Sequence, residues 1–199
     1  MKTLALELST SRGSLAWLDD EIVSTREWSN DRRNSSAFFE NLQAVREKFG
    51  APEAIIVGLG PGSYAGTRIA ISAAIGMQLS SNARLIGYPS ICAMECDAQE
   101  YCVIGDARRQ SFFFARILKN EAIEGPTLFS ELELETKLES IDPATPVLFS
   151  ELLSQFDRPL ISFPSALILA RLAKESWRSF YLPPLEPIYL REPHITMPK

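Results

Sequence analysis

Hydrophobic and polar positions fall into blocks whose period switches between two and about 3.6, as expected when strands are interleaved with helices. Thr3–Leu8 alternates like a strand and leads into Ser9-Thr10-Ser11 and a turn at Gly13. Leu15–Leu18 and Ile22–Trp28 then complete an antiparallel meander. Asn34 or Ser35 can cap a helix running to Phe49, with Phe38, Leu42, Val45 and Phe49 on its core face and Gly50 as its stop. Phe39 falls outside that stripe, where a large aromatic suits packing under a loop or a contact with another subunit.

The stretch AIIVGLGPGSYAGTRIAISAAIGMQLS, residues 54–80, organises the rest. Ile55-Ile56-Val57 reads as a buried strand, glycines 58, 60 and 62 around Pro61 as a tight loop, and Ser63 as the N-cap of a helix reaching about Ser80. On that helix Ile71, Ile75 and Leu79 form one apolar stripe. Ile69, Ala73 and Met77, with Ala70, form a second on nearly the opposite side. One stripe can cover the sheet; the other calls for a second helix of this chain or a partner subunit.

Strand Arg84–Gly87 follows, then a short helix opening near Pro89-Ser90 and carrying Cys92 and Cys96 on one face. Strands Tyr101–Gly105 and Ser111–Leu118, joined through Asp106-Ala107-Arg108-Arg109, repeat the opening outline of strand, polar turn and strand. The expected fold is therefore α/β in two lobes, residues 1–100 and 101–199, each a mixed sheet flanked by helices. Within the second, a helix is expected over Glu131–Ser140 and a strand at Val147–Phe149. A last helix from about Ser165 to Ser179 buries Ala166, Leu169, Ala170, Ala173 and Trp177, and turns Arg171, Lys174, Glu175 and Arg178 to water. Ile188–Arg191 adds an edge strand.

A strand, a glycine loop and a helix N-terminus together present backbone N–H groups and the positive end of a helix dipole, which suits a phosphate. Ser9, Thr10 and Ser11, with Gly60, Gly62, Ser63, Gly66 and Asp106, are the candidate phosphate or nucleotide residues. The competing reading is that the glycines let helix and strand pack closely and the hydroxyls satisfy their own turn. Gly60-Pro61-Gly62-Ser63-Tyr64-Ala65 fits a loose dinucleotide pattern, but the next strand lacks the acidic residue that site uses. Gly66-Thr67-Arg68 lacks the lysine of a P-loop.

With 199 residues, 46% hydrophobic, the chain can bury a proper core, and its net charge of −5 argues against gripping nucleic acid unaided. No apolar run approaches a membrane span and Glu7 interrupts the N-terminal one, so a cytoplasmic protein with no membrane partner is expected. Three cysteines and one histidine, His194, supply neither a disulfide framework nor a zinc site; buried reduced thiols and no metal are expected.

LALELSTS at the N-terminus, GLGPGSYAGTRIAISAAIG, GDARRQSFFFARI and EPIYLR come in an order that resembles the TsaB (YeaZ-like) family over nearly the whole chain. That family belongs with tRNA threonylcarbamoyladenosine synthesis and shares a two-lobed fold with sugar kinases, Hsp70 and actin. The resemblance implies a paralogue of the catalytic subunit TsaD without its metal-binding histidines; here the matching region reads Ser90-Ile91-Cys92-Ala93-Met94-Glu95-Cys96. It further implies a non-catalytic scaffold that pairs with TsaD through its N-terminal helices, helps recruit the ATPase TsaE, and meets tRNA through the complex. Phe38, Phe39, Leu42 and the Ile71/Ile75/Leu79 or Ile69/Ala73/Met77 stripe would form that interface, with a homodimer when the partner is missing. No cofactor is required; the place left open for a nucleotide, ADP or ATP, is the subunit junction. The chain departs from the family with Glu7-Leu8-Ser9 where Asp-Thr-Ser/Thr is usual, with Arg33-Asn34 where a histidine is usual, and with a shorter second lobe.

The alternative class is an enzyme. A kinase-like ATPase would place phosphates at Ser9-Thr10-Ser11 and the 60–66 loop, with Glu7 or Asp106 holding magnesium through water. A glycopeptidase would need metal ligands that one histidine does not furnish.

Overall fold

The computed structural model describes residues 1–20, 22–30 and 35–191, so Arg33, Asn34 and His194 lie outside the described residues. Two five-stranded mixed sheets carry the chain. The first comprises β1 (Thr3–Glu7), β2 (Arg12–Leu18), β3 (Val23–Ser29), β4 (Ala54–Gly58) and β5 (Arg84–Tyr88), in the order β3-β2-β1-β4-β5. The second comprises β6 (Glu100–Asp106), β7 (Phe112–Leu118), β8 (Glu121–Phe129), β9 (Val147–Phe149) and β10 (Leu160–Ile161), in the order β10-β9-β6-β7-β8. β1 is antiparallel to β2 and parallel to β4, and β6 is antiparallel to β7 and parallel to β9. The expected repetition of one α/β plan in two halves is therefore present.

Period-two alternation sorts side chains into three cores. Leu4 and Leu6 of β1, with Ile55 and Val57 of β4, face the helices α1 (Ser36–Phe49) and α2 (Tyr64–Ser81). Their neighbours Ala5 and Ile56 face the other way. There they share one cluster with Val103 and Ala115 of the second sheet and with Leu169 of α4 (Ala166–Leu172). The outer face of the second sheet, including Ile104 and Phe114, is covered by Leu134 and Leu138 of α3 (Glu131–Glu139). The layers run helix pair, sheet, α4, sheet, α3.

α4, which sequence position assigns to the second half, packs on β1, β2 and β4 of the first sheet, and its Ala166 amide donates to Ser14 Oγ on β2 at 3.0 Å. It is also shorter than expected. Lys174 N bonds Arg171 O and Glu175 N bonds Leu172 O, so the chain tightens into i→i+3 turns and then reverses. Trp177 is consequently 66% exposed rather than buried. Arg178 is buried rather than solvated, donating to Tyr88 Oη at 2.7 Å and pairing with Glu175 at 2.7 Å. Ile188–Arg191 forms no strand; the edge of the first sheet is instead touched by Tyr181, bridged to Gly87. Cys92 lies in a single 3-10 turn, Ser90–Ala93, that ends before Cys96, so the two thiols share no helical face. β8 was not expected because Glu, Gly and Pro are poor strand formers, yet as an outer strand it tolerates all three.

Candidate functional site

The glycine loop joins the end of β4 to α2 and lies against the end of β1. Ser63 caps α2, its Oγ accepting from Gly66 N at 3.3 Å, while Ser63 N donates to Ser9 O at 2.6 Å. A Cβ at Gly62 would stand 2.2 Å from Ser9 O, and one at Gly66 would stand 2.1 Å from Leu8 O. Both glycines are thus required for the first turn of α2 to approach the β1 backbone, and the amides of Gly60, Ser63 and Gly66 are already bonded within the protein.

Glu7 closes the end of β1. It is fully buried, its Oε1 accepts from Ser9 N at 2.6 Å, and its Oε2 has no hydrogen-bond partner among the described residues. Burial pushes this carboxyl above the usual range, outweighing the hydrogen bonds that pull the other way. The side chain is turned into the core and does not reach the space beside the loop.

That space is a cleft of about 480 Å³ between the two sheets. Ser9, Thr10, Ser11, Gly62, Ser63 and Asp106 all line it, as expected of one site. Gly60 and Gly66 sit behind its wall, where Gly60 N donates to Ser90 Oγ at 2.9 Å. Thr10 Oγ1 is engaged with Arg12 O at 3.0 Å, satisfying its own turn. Asp106 accepts from Arg108 N and Arg108 Nη1, each at 2.6 Å, and its own amide donates to Glu151 Oε1 at 3.2 Å. Glu151 and the terminal segment Pro187–Arg191 complete the wall. Sequence reasoning missed both; the one available signal for the segment was the EPIYLR string, read as an edge strand. Among the described residues no three His, Cys, Asp or Glu side chains gather as metal ligands.

The second candidate surface is the outward side of α1 and α2. α2 buries Gly66, Thr67, Ala70, Ile71, Ala74 and Met77, a face that runs between the two expected stripes and takes members of both. Ile75 is 41% and Leu79 84% exposed, beside the exposed Arg68, Ser72 and Gly76, while Ile69 and Ala73 are half-buried. The outward side is therefore two large aliphatic side chains among small and polar ones, not a continuous stripe. On α1, Phe38 and Leu42 belong to the core, whereas Phe39 is 50% exposed. A groove between the two helices is lined by Phe39, Gln43, Arg46, Met77 and Ser80.

The family model for TsaD, tRNA N6-adenosine threonylcarbamoyltransferase, matches residues 35–184. The chain belongs to the TsaD family. The match begins one residue before α1, so it takes in both outward helices, the glycine loop and the Asp106 side of the cleft, but neither Ser9–Ser11 nor Pro187–Arg191. A comparison with curated proteins finds no match. Among solved structures, the chain is similar to an uncharacterized protein with similarity to peptidase YEAZ from Pseudomonas aeruginosa. That likeness has a TM-score of 0.75 and 20% identity over 96% of this chain and 99% of the other. It is likewise similar to YeaZ from Pseudomonas aeruginosa, with a TM-score of 0.73 and 17% identity over 95% of this chain and 100% of that one. These likenesses show that the TsaD-family chain has the YeaZ fold over nearly all of its described residues. Among the described residues no helix is long and apolar enough to cross a membrane.

Proposed function

We propose that the chain is a TsaB-type, non-catalytic subunit of the assembly that transfers a threonylcarbamoyl group to the tRNA adenosine beside the anticodon. It docks a TsaD subunit through α1 and α2, helps recruit the ATPase TsaE, and meets tRNA only through the complex, in keeping with its net charge of −5. One observation carries this reading: Leu79, Ile75 and Phe39 present large apolar surface to solvent on two adjacent helices whose inner sides already form a complete core. The inward turn of Glu7 and the bonded amides of Gly60, Ser63 and Gly66 support it, because those three amides are committed within the protein rather than presented to a phosphate.

Full burial of a leucine contributes about 1.5–3 kcal/mol. Leu79→Asp should therefore weaken co-purification with TsaD by more than about tenfold. Fold stability should stay within about 0.5 kcal/mol, since Leu79 touches little of its own chain. Undiminished co-purification with the folded variant would refute the docking face.

A second reading, a kinase-like ATP-binding enzyme with nucleotide in the cleft of the isolated chain, rests on the convergence of Ser9, Ser63 and Asp106 there. Calorimetry with magnesium–ATP at millimolar concentration separates the two, heat being expected only under this reading. Sedimentation with and without TsaD distinguishes a homodimer on the same face from the heterodimer.

A further inference from the structure

The terminal segment is held unevenly along its length. Tyr181 exchanges two backbone bonds with Gly87, at 2.9 and 3.0 Å, and Leu185 is 7% exposed within the core beneath α1 and α2. Pro183, Pro184 and Pro187 stiffen what lies between and beyond these anchors, since a proline ring fixes φ and removes a donor. Past Leu185 the apolar side chains are only half-buried, Ile188 against the core beneath α1 and α2 and Leu190 against the core between the sheets. Ile188 N donates to Leu59 O at 2.8 Å, and the Tyr189 ring lies 5.4 Å from that of Tyr64, both rings about half exposed. Tyr64 is itself fixed from the other side, its Oη accepting from Arg68 Nη1 at 2.7 Å. Residues 187–191 form one wall of the cleft, directly over the first turn of α2.

We propose that Glu186–Arg191 is a displaceable strap. It pivots at the Leu185 anchor and closes the cleft by clasping Leu59 and Tyr64. Its displacement breaks one backbone hydrogen bond and one ring contact, lifts half-buried Ile188 and Leu190 off the cores they touch, and leaves every strand pairing intact, so the cleft opens without the sheets moving. Pro187 stiffens the limb next to its pivot, so that it swings from Leu185 rather than unravelling. The device goes beyond the docking role proposed above and does not depend on it.

The test uses the full chain and two readouts. Hydrogen exchange should show Tyr189→Ala raising the exchange rates of the Leu59 to Thr67 and Ile188 amides at least tenfold, with the β6 and β7 amides unchanged. Thr10→Cys places a half-buried thiol in the cleft wall, and its maleimide labelling, followed by mass spectrometry, should accelerate by a similar factor when Tyr189→Ala is added. Unchanged exchange in Tyr189→Ala, or a uniform rise across both sheets, would overturn the strap. So would labelling of the cleft thiol that is indifferent to Tyr189. If Thr10→Cys does not fold, the exchange experiment decides alone.

Discussion

One helix offers the same substitution at two glycines with opposite expected signs. At Gly66 an added Cβ would stand 2.1 Å from Leu8 O, a backbone carbonyl at the end of a central strand that has no freedom to withdraw. Relief requires the first turn of α2 to move outward, straining the Gly66 N to Ser63 Oγ cap bond. Overpacking of this kind costs about 1–3 kcal/mol and a lost cap about 1 kcal/mol, against about 1 kcal/mol gained from replacing a helical glycine by alanine. The net loss is about 2 kcal/mol, or about 4–8 °C in melting temperature for a chain of this size. At Gly76, ten residues along the same helix, a Cβ meets nothing within 4 Å. There only the propensity term acts, and Gly76→Ala should raise stability by about 1 kcal/mol and the midpoint by about 2–4 °C. Paired urea titrations of the two variants give the comparison directly. If Gly66→Ala stabilises, or the two variants shift alike, the loop glycines are not there for close approach, and the anion-cradle reading regains its standing.

Two other expectations concern buried groups. Glu7 holds its proton more tightly folded than unfolded, so its contribution to stability is full below its unfolded pKa and fades as pH rises through the folded one. Glu7→Gln should therefore match the wild type in acid and become progressively the more stable of the two toward neutral and alkaline pH, in denaturant midpoints taken across that range. Burial pushes the Cys92 thiol up to about 12 and raises that of Cys102, whereas Cys96 is partly exposed. A disulfide-exchange reagent at mildly alkaline pH should consume Cys96 first and reach the other two only once denaturant is added; prompt reaction of all three would contradict the packing of the central core.

The parts of the fold legible in the sequence are those in which one physical signal dominates. Ile55-Ile56-Val57 followed by glycines and Ser63 announces a strand, turn and capped helix, and the structure has β4, the loop and α2 there. The hairpin from Tyr101 to Leu118 is equally plain, with Asp106 at its turn. What could not be read depends on tertiary partners. Arg178 looks like a solvated helix residue until Tyr88, Glu175 and the carbonyls of Lys119 and Asn120 surround it. The core face of α2 falls between the two expected stripes because small residues, Gly66, Ala70 and Ala74, lie along its centre and let the helix sit close to the sheet. Of the cleft, the residues from the glycine loop and the first hairpin were foreseeable. Glu151 was not, because nothing in its own neighbourhood in the sequence says that it will meet the Asp106 amide.

The seating of α4 between the two sheets bears on how the molecule is made. Until Ala166–Leu172 has left the ribosome, Ala5, Ala16, Ile56 and Ile86 have no helix to cover them, and a nascent chain of the first hundred residues carries a bare, adhesive sheet. Expression of that stretch by itself should give aggregates rather than a working half. Anyone wishing to divide the protein would have to graft the late helix onto the early strands.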